Sequence, residues 1–355
     1  GQGEIRVTTN NTGNAGTIKI ETQNLKTSDQ VSITASTTGD GNAGEIKIDT
    51  KTFNLTTGTS LKTETNSAGK AGDISINSKI VTIGKGAEIS ATAKENATNT
   101  EAGGNITINA NKLEISGELG IFAETGGKSP AGTLTLNPYK NDPNLNITFT
   151  EKGFISARTT SIGDGGNINI KAPENINLKG EGKISVETTG QGNAGTIDIQ
   201  TQNLNLSEQI KITASTEAEG KGGDINISPK ETTLNITGNG EISASTSGAG
   251  QGGNIELNAT EKLNITGDGQ ISARTSGAGQ GGNIDIIAPE TRLNITGDGQ
   301  ISARTSSTSS TGEGGNIQLN ATETLNITGD GKISARTSGA GNAGNISIET
   351  PNLTT

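Results

Sequence analysis

The chain has 355 residues and a formal net charge of −10, and it contains no Cys, His, Met or Trp. The lack of His excludes imidazole acid–base catalysis, and the lack of Cys excludes disulfides and thiolate chemistry. The negative charge argues against nucleic acid and anionic membrane surfaces as partners, and no apolar run reaches the roughly 20 residues that span a bilayer. Only 28% of the residues are apolar, but they alternate strictly with polar residues, which is typical of strands with one buried face.

One sequence unit recurs about twelve times, and its clearest copy runs from Gly252 to Thr275. Each copy has an apolar residue directly after a Gly-rich turn, and these residues are 28, 28, 32, 28, 34, 29, 28, 30, 29, 33 and 29 positions apart. A period of this length predicts a solenoid, in which each unit buries its apolar side against its neighbours. The marker residues are Ile18, Ile46, Ile74, Ile106, Leu134, Ile168, Ile197, Ile225, Ile255, Ile284, Ile317 and Ile346.

Within the copy at 252–275, three short runs alternate apolar and polar residues, at 255–257, 263–265 and 271–273. Three strands per unit fit one rung of a β-solenoid, in which each strand pairs with its counterpart one rung away at about 4.8 Å. Parallel crossovers are right-handed in nearly all proteins. We therefore predict an all-β, right-handed parallel β-helix of about twelve three-strand rungs, each of 28–30 residues.

The repeat covers the whole chain, so we expect a single solenoid segment at 1–355. The chain starts and stops inside a unit, which indicates a fragment of a longer protein. Longer steps in the repeat predict insertions in turns at 94–101, 137–144 and 306–313.

Two polar columns follow from the register. A short polar residue precedes the marker residue, and we expect it to form a hydrogen-bonded ladder at Asn254, Asn283, Asn316 and Asn345. Gly-Asp-Gly segments at 267–269, 297–299 and 329–331 could hold Ca²⁺, but they are also common turns, and the calcium-binding nonapeptide repeat is absent. We predict neither a metal site nor a cofactor.

A column of arginines is the first candidate binding feature. Arg274, Arg304 and Arg336 occupy equivalent outward positions on three consecutive rungs. Such a column could face an acidic polysaccharide or phosphate, and the alternative is a solvated surface without a ligand.

Scarce aromatic residues are the second candidate. The register predicts an inward Phe53 and outward side chains for Phe122 and Phe154 on neighbouring rungs, and Tyr139 falls in the 137–144 insertion. Exposed aromatic rings at an irregular site could stack on sugars or anchor a partner. The alternative is that the insertion folds over them and buries them.

The segments 269–284 and 341–353 resemble the repeat region of filamentous-haemagglutinin-like exoproteins, most closely those of cyanobacteria. This resemblance implies a secreted β-helix that is exported by two-partner secretion through an outer-membrane transporter. It also implies display as an adhesin or fibre at the cell surface. The amino-terminal secretion domain of the family has no counterpart in this sequence, and the repeat region of the family has no catalytic residues to transfer.

We therefore expect a structural and adhesive segment of a secreted extracellular or cell-surface fibre, not an enzyme. Surface glycans, other cells and further copies of the chain are the expected partners. One alternative is a polysaccharide-binding module that uses Phe122, Tyr139 and Phe154. The other is a polysaccharide-degrading enzyme on the same scaffold, although the sequence contains no convergent acid pair or nucleophile–base set.

Overall fold

A computed structural model of the chain describes residues 3–100, 103–217, 219–228, 233–258, 261–288, 292–306, 312–338 and 340–355. Every regular element among these residues is a β-strand, and each strand pairs in parallel with strands one rung away. The prediction of a parallel β-solenoid is therefore confirmed, with about 11 turns. The same residues hold no helix with the length and apolarity needed to cross a bilayer.

The strands form three columns. The first contains β2 (Ile18–Lys26), β4 (Ile46–Leu55), β6 (Ile74–Ile83), β8 (Ile106–Asn109), β11 (Thr133–Asn137), β13 (Asn167–Lys171), β15 (Ile197–Gln200), β18 (Ile225–Ile227), β21 (Ile255–Asn258), β24 (Ile284–Ala288), β27 (Ile317–Ala321) and β30 (Ile346–Glu349). The second contains the later parts of β2, β4 and β6, then β9 (Lys112–Ser116), the first parts of β12 (Asn144–Thr159) and β14 (Asn175–Thr188), β16 (Asn203–Leu206), β19 (Thr233–Ile236), β22 (Lys262–Ile265), β25 (Arg292–Ile295), β28 (Thr324–Ile327) and β31 (Leu353–Thr354). The third contains β1 (Glu4–Thr9), β3 (Ser32–Thr37), β5 (Ser60–Thr65), β7 (Glu88–Ala93), β10 (Gly120–Thr125), the later parts of β12 and β14, β17 (Gln209–Thr216), β20 (Glu241–Thr246), β23 (Gln270–Thr275), β26 (Gln300–Thr305) and β29 (Lys332–Thr337).

The marker residues of the repeat stack directly on one another. The register pairs Ile18 with Ile46 at one end and Ile317 with Ile346 at the other, and every step between them is also paired. Twelve stacked residues are joined by eleven steps, which is why about twelve units make about 11 turns. All of them are buried except Ile346 at the last rung, which is 43% exposed. Complete burial of one such side chain contributes roughly 1.5–3 kcal/mol, so the stack supplies a continuous core along the axis.

Buried threonines hold the Gly-rich loops against the end of the third column. Thr188, Thr275 and Thr305 point inward and have no exposed surface. Their Oγ1 atoms donate hydrogen bonds to loop carbonyls at 2.8, 2.9 and 2.9 Å, respectively. Each bond satisfies a buried hydroxyl and a loop carbonyl together, so the loop has a fixed position relative to its rung.

A column of stacked glycines lies in the same loops. A Cβ atom on Gly253 would lie 1.9 Å from the carbonyl oxygen of Gly223, one rung earlier. Equivalent glycines show the same close approach, with distances of 1.8 to 2.1 Å, so the backbones touch directly along the axis. These glycines are Gly44, Gly72, Gly104, Gly132, Gly166, Gly195, Gly223, Gly282, Gly315 and Gly344.

Asparagine ladders run along two columns. The backbone N–H groups of Asn283, Asn316 and Asn345 each donate to the Oδ1 atom of the preceding asparagine, at 3.1, 2.9 and 2.9 Å. The predicted ladder is therefore confirmed, with a backbone amide as the main donor. A second ladder joins side-chain amides at 2.7–2.9 Å through Asn146, Asn177, Asn205, Asn235, Asn264, Asn294 and Asn326.

The 137–144 insertion connects the first column to the second, between β11 and β12. Asn111 of the preceding rung fastens it from both sides. Its Oδ1 accepts the N–H of Tyr139 at 2.9 Å, and its Nδ2 donates to Asp142 at 2.7 Å. The 94–101 insertion follows β7, and residue 101 lies outside the described residues, as do residues 307–311 of the 306–313 insertion.

Candidate functional site

The third column carries the outward residues of greatest functional interest, and we call this surface the third face. In β23, Ile271, Ala273 and Thr275 point inward and are fully buried. Gln270 and Arg274 are exposed on the outside, with Ser272 between them. Because β23, β26 and β29 pair in register, the outward residues form three parallel tracks along the axis.

The middle track consists of small hydroxyl side chains, and we call it the hydroxyl track. Three of its members, Ser156, Ser185 and Ser243, are only 5%, 2% and 8% exposed, although their side chains point outward. The other members of the track are half-buried. Its residues, paired from rung to rung, are Ser156, Ser185, Thr213, Ser243, Ser272, Ser302 and Ser334.

The track that contains the predicted arginines alternates in sign at the earlier rungs. Arg158 lies between Glu124 and Glu187 in register. Its Nη2 donates to Glu124 Oε2 at 3.4 Å, and its Nε lies 3.4 Å from Oε1. Glu187 also pairs with Lys183. Opposite charges therefore alternate over these rungs and stabilise one another.

The later rungs of the same track differ. Arg274 pairs in register with Arg304, which pairs with Arg336, as the sequence predicts. No carboxylate in the described part of the chain forms an ion pair with any of the three. The Nε atom of Arg304 is buried, and no described residue accepts a hydrogen bond from it. Adjacent guanidinium groups, about 4.8 Å apart, repel by about 1 kcal/mol in water. This arginine column is therefore an uncompensated line of positive charge.

The carboxyl of Glu124 on the third face has a shifted pKa. Burial raises the pKa of the Glu124 carboxyl above its ordinary value of 4.5, while the charge and hydrogen bond of Arg158 act in the opposite direction. Desolvation thus outweighs pairing at this position. The folded protein consequently holds the Glu124 proton more tightly than the unfolded chain does.

This shift predicts a pH-dependent contribution to stability. The contribution is fully present below pH 4.5, the ordinary pKa of the carboxyl, and is lost as the pH rises through the higher pKa of the folded state. The variant Glu124→Gln cannot ionise and should lack it. We expect the free energy of unfolding of the wild type, measured relative to Glu124→Gln, to fall as the pH rises through that range. A difference between the two proteins that is independent of pH would contradict the expectation.

The structure brings two of the three predicted aromatic residues together. Phe122 pairs with Ser156 and Phe154 pairs with Gly120, so the two rings lie diagonally on adjacent rungs of the third face. Both point outward, as the register predicts, but each is half-buried. Phe122 occupies the middle position directly before Ser156, so it stands at the head of the hydroxyl track.

Tyr139 lies elsewhere. Its insertion is at the corner between the first and second columns, which the third column does not border. The ring is half-buried, and Lys140 Nζ lies 4.9 Å from its centroid. The three aromatic residues therefore do not form one patch, and the insertion does not cover Phe122 and Phe154. The reason is that the insertion extends the first turn of its rung, whereas both phenylalanines belong to third-column strands.

Sequence analysis did not identify the groove beside this insertion. The groove has a volume of about 1070 Å³ and runs along the corner over several rungs. Prolines and long polar side chains line it, together with Ile287, which is 43% exposed. Only the unusual length of the insertion pointed to this region. The lining includes Pro138, Lys140, Asp142, Lys171, Pro173 and Gln200.

The Gly-Asp-Gly segments form exposed turns between the second and third columns. The first glycine of each turn has positive φ, with values of 67°, 69° and 72° at Gly267, Gly297 and Gly329. Glycine adopts positive φ without strain, so turn formation is sufficient to explain these residues. Among the described residues, no group of three or more Asp, Glu, His or Cys side chains could hold a metal ion.

Comparison of the chain with protein-family models, with curated proteins and with solved structures finds no match. The chain is thus characterised by its own geometry, as an all-β parallel β-solenoid of about 11 turns.

Proposed function

We propose that this chain is a structural and adhesive segment of a secreted fibre at the cell surface. The observation that carries the proposal is the unbroken register of the marker residues from Ile18 to Ile346. Stacked rungs give an elongated element whose length grows with the number of repeats, which suits a stalk. The resemblance to filamentous-haemagglutinin-like repeats supports the same function, with export through an outer-membrane transporter.

The surface of the rod also suits an extracellular structural role. Most inward positions along all three columns are filled by buried aliphatic residues, so stability comes from the whole length and not from disulfides. The outward ladders of asparagine bond each rung to the next. The negative net charge opposes nonspecific aggregation of such a rod.

Localisation is the direct test of this proposal. Antibodies against the purified chain should label intact cells of the source organism, together with material released from them. An antibody against a cytoplasmic protein serves as the control for lysis. If the chain is labelled only after the cells are broken, the proposal is wrong.

A second candidate function is a polysaccharide-binding module, and the diagonal pair of Phe122 and Phe154 favours it. Aromatic rings on adjacent rungs can stack on successive sugar rings. Because both rings are half-buried, we expect Phe122→Ser with Phe154→Gln to reduce binding to cells or glycans and leave the fold intact. Tyr139→Ser is the matched control, since Tyr139 lies on a different corner, and it should bind as the wild type does. Glycan-array binding and melting curves measure both effects, and unchanged binding by the double variant would exclude the module.

A further inference from the structure

Three consecutive rungs of the third face carry no acidic outward residue. Their nine outward positions on β23, β26 and β29 hold four positive charges and no negative charge, on a chain whose net charge is −10. We call this surface the basic plateau. Its residues are Gln270, Ser272, Arg274, Gln300, Ser302, Arg304, Lys332, Ser334 and Arg336.

Elsewhere on this face, cations are paired. Lys62 pairs with Glu88, Lys94 with Glu64 at 2.8 Å, and Lys211 with Glu241 at 3.0 Å. The plateau departs from this pattern over three rungs in succession. From the standpoint of stability alone, the repulsion within the arginine column is unfavourable, so a ligand of opposite charge would relieve it.

The surroundings of the plateau leave the arginine side open. The loops at 276–282 and 338–344, which follow the first and third arginines of the column, contain no charged residue, and the loop at 306–315 between them contains one, the exposed Glu313. The nearest regular column of acids is Asp268, Asp298 and Asp330, at the opposite end of the same strands. Six residues separate Asp268 from Arg274, or about 20 Å along an extended strand. That separation exceeds the Debye length of about 8 Å at physiological salt, so these acids do not neutralise the arginines.

We infer that the basic plateau binds a linear acidic polysaccharide that lies along the solenoid axis. The arginines would pair with carboxylates, since the guanidinium group matches that geometry with two parallel hydrogen bonds. The half-buried hydroxyls of Ser272, Ser302 and Ser334 beside them would contact the sugar hydroxyls. This inference rests on the adhesive part of the proposed function and names its ligand class.

Nucleic acid fits the same surface less well. Binding of single strands without sequence preference combines a basic groove with aromatic rings on which bases stack. The basic plateau has no aromatic residue, and Phe122 and Phe154 lie several rungs away. Sugar chains that carry a carboxylate on each ring need charge and hydroxyl contacts, which the plateau offers on each of its rungs.

The test compares two charge-matched variants of the full chain by isothermal titration with an oligogalacturonate. The first is Arg274→Gln, Arg304→Gln and Arg336→Gln. The control is Lys19→Gln, Lys47→Gln and Lys179→Gln, which removes the same charge from other faces. We expect the wild type and the control to bind alike and the arginine variant to bind about tenfold more weakly or not at all, because its charge-assisted hydrogen bonds are lost. Melting curves should show that both variants are folded.

Three results would overturn the inference. The first is that the wild type does not bind oligogalacturonate, and the second is that both variants lose the same affinity for it. The third is that the wild type binds a neutral cello-oligosaccharide or a thymidine oligonucleotide as tightly as oligogalacturonate. None of these results bears on the antibody labelling of intact cells that tests the proposed function. Conversely, absence of that labelling would reject the proposed role in a fibre but not the polysaccharide binding measured on the purified chain.

Discussion

Replacement of Gly253 by alanine should strongly destabilise the solenoid. The added Cβ would lie 1.9 Å from the carbonyl oxygen of Gly223 and 2.6 Å from its carbonyl carbon, and neither backbone atom can move without separating two rungs. Overpacking of this kind costs about 1–3 kcal/mol in ordinary cores, and we expect at least the upper end, because the clash is with main chain. Urea denaturation monitored by circular dichroism measures the loss.

Gly16→Ala is the matched control. Gly16 stands at the start of the same column, where the nearest atom to an added Cβ is Val7 Cβ at 4.0 Å. Neither Gly16 nor Gly253 has positive φ, so alanine strains the backbone at neither position. Gly16→Ala should therefore change the free energy of unfolding by less than about 0.5 kcal/mol, as ordinary surface substitutions do. Equal effects of the two substitutions would show that the stacked backbones do not require glycine.

The second large effect is expected for Ile271→Asp. Ile271 is fully buried and stacks between Ile242 and Ile301 of the adjacent rungs. An unpaired carboxylate at this position costs several kcal/mol. Because each rung contacts only its neighbours, distant rungs keep their own interactions. Hydrogen exchange should therefore show lost protection in the few rungs around residue 271 and native protection far from it.

The neighbouring position provides the control for this substitution. Gln270 is exposed on the outside of the same strand, so Gln270→Asp introduces the same charge without burying it. We expect Gln270→Asp to retain native exchange rates throughout. Uniform loss of protection over all rungs in Ile271→Asp would contradict the nearest-neighbour account of stability.

The alternation of apolar residues was sufficient to predict the columns and their register. Ile255 and Leu257 alternate with polar residues, and a slip of one position would expose both, so only one register buries the core. The same rule, extended by two residues beyond Ala273, would have identified Thr275 as inward. Sequence analysis missed it because threonine is usually an exposed residue. Thr275 is buried because it continues the inward alternation of its strand, and its hydroxyl donates to the Gln280 carbonyl.

Contacts between rungs were harder to predict. Phe149 is only 1% exposed, and its ring packs against the backbone of Gly182 one rung later. A Cβ atom added to Gly182 would lie 2.1 Å from Cγ of that ring. No repeat position indicates this packing, because it depends on a glycine one rung later. The register of β12 against β14 also shifts between Phe149 and Gly153, which a sequence pattern of period two cannot reveal.

The candidate site was predictable in part. The alignment of Arg274, Arg304 and Arg336 follows directly from the repeat, whereas their lack of partners required the positions of all neighbouring carboxylates. Sequence analysis grouped Tyr139 with the two phenylalanines, and their separation became clear only from the position of the insertion at the corner between the first and second columns. The right-handed coil stays a prediction.

Distances between spin labels test the stacked-rung architecture most directly. The chain has no cysteine, so labels attach only at introduced positions. Lys211 and Lys332 lie four rungs apart in one track, and Ser60 and Lys332 lie nine rungs apart. Double electron–electron resonance on the two cysteine pairs should give about 19 Å and about 43 Å, because each rung adds about 4.8 Å. Distances that do not scale with the number of rungs would contradict the solenoid.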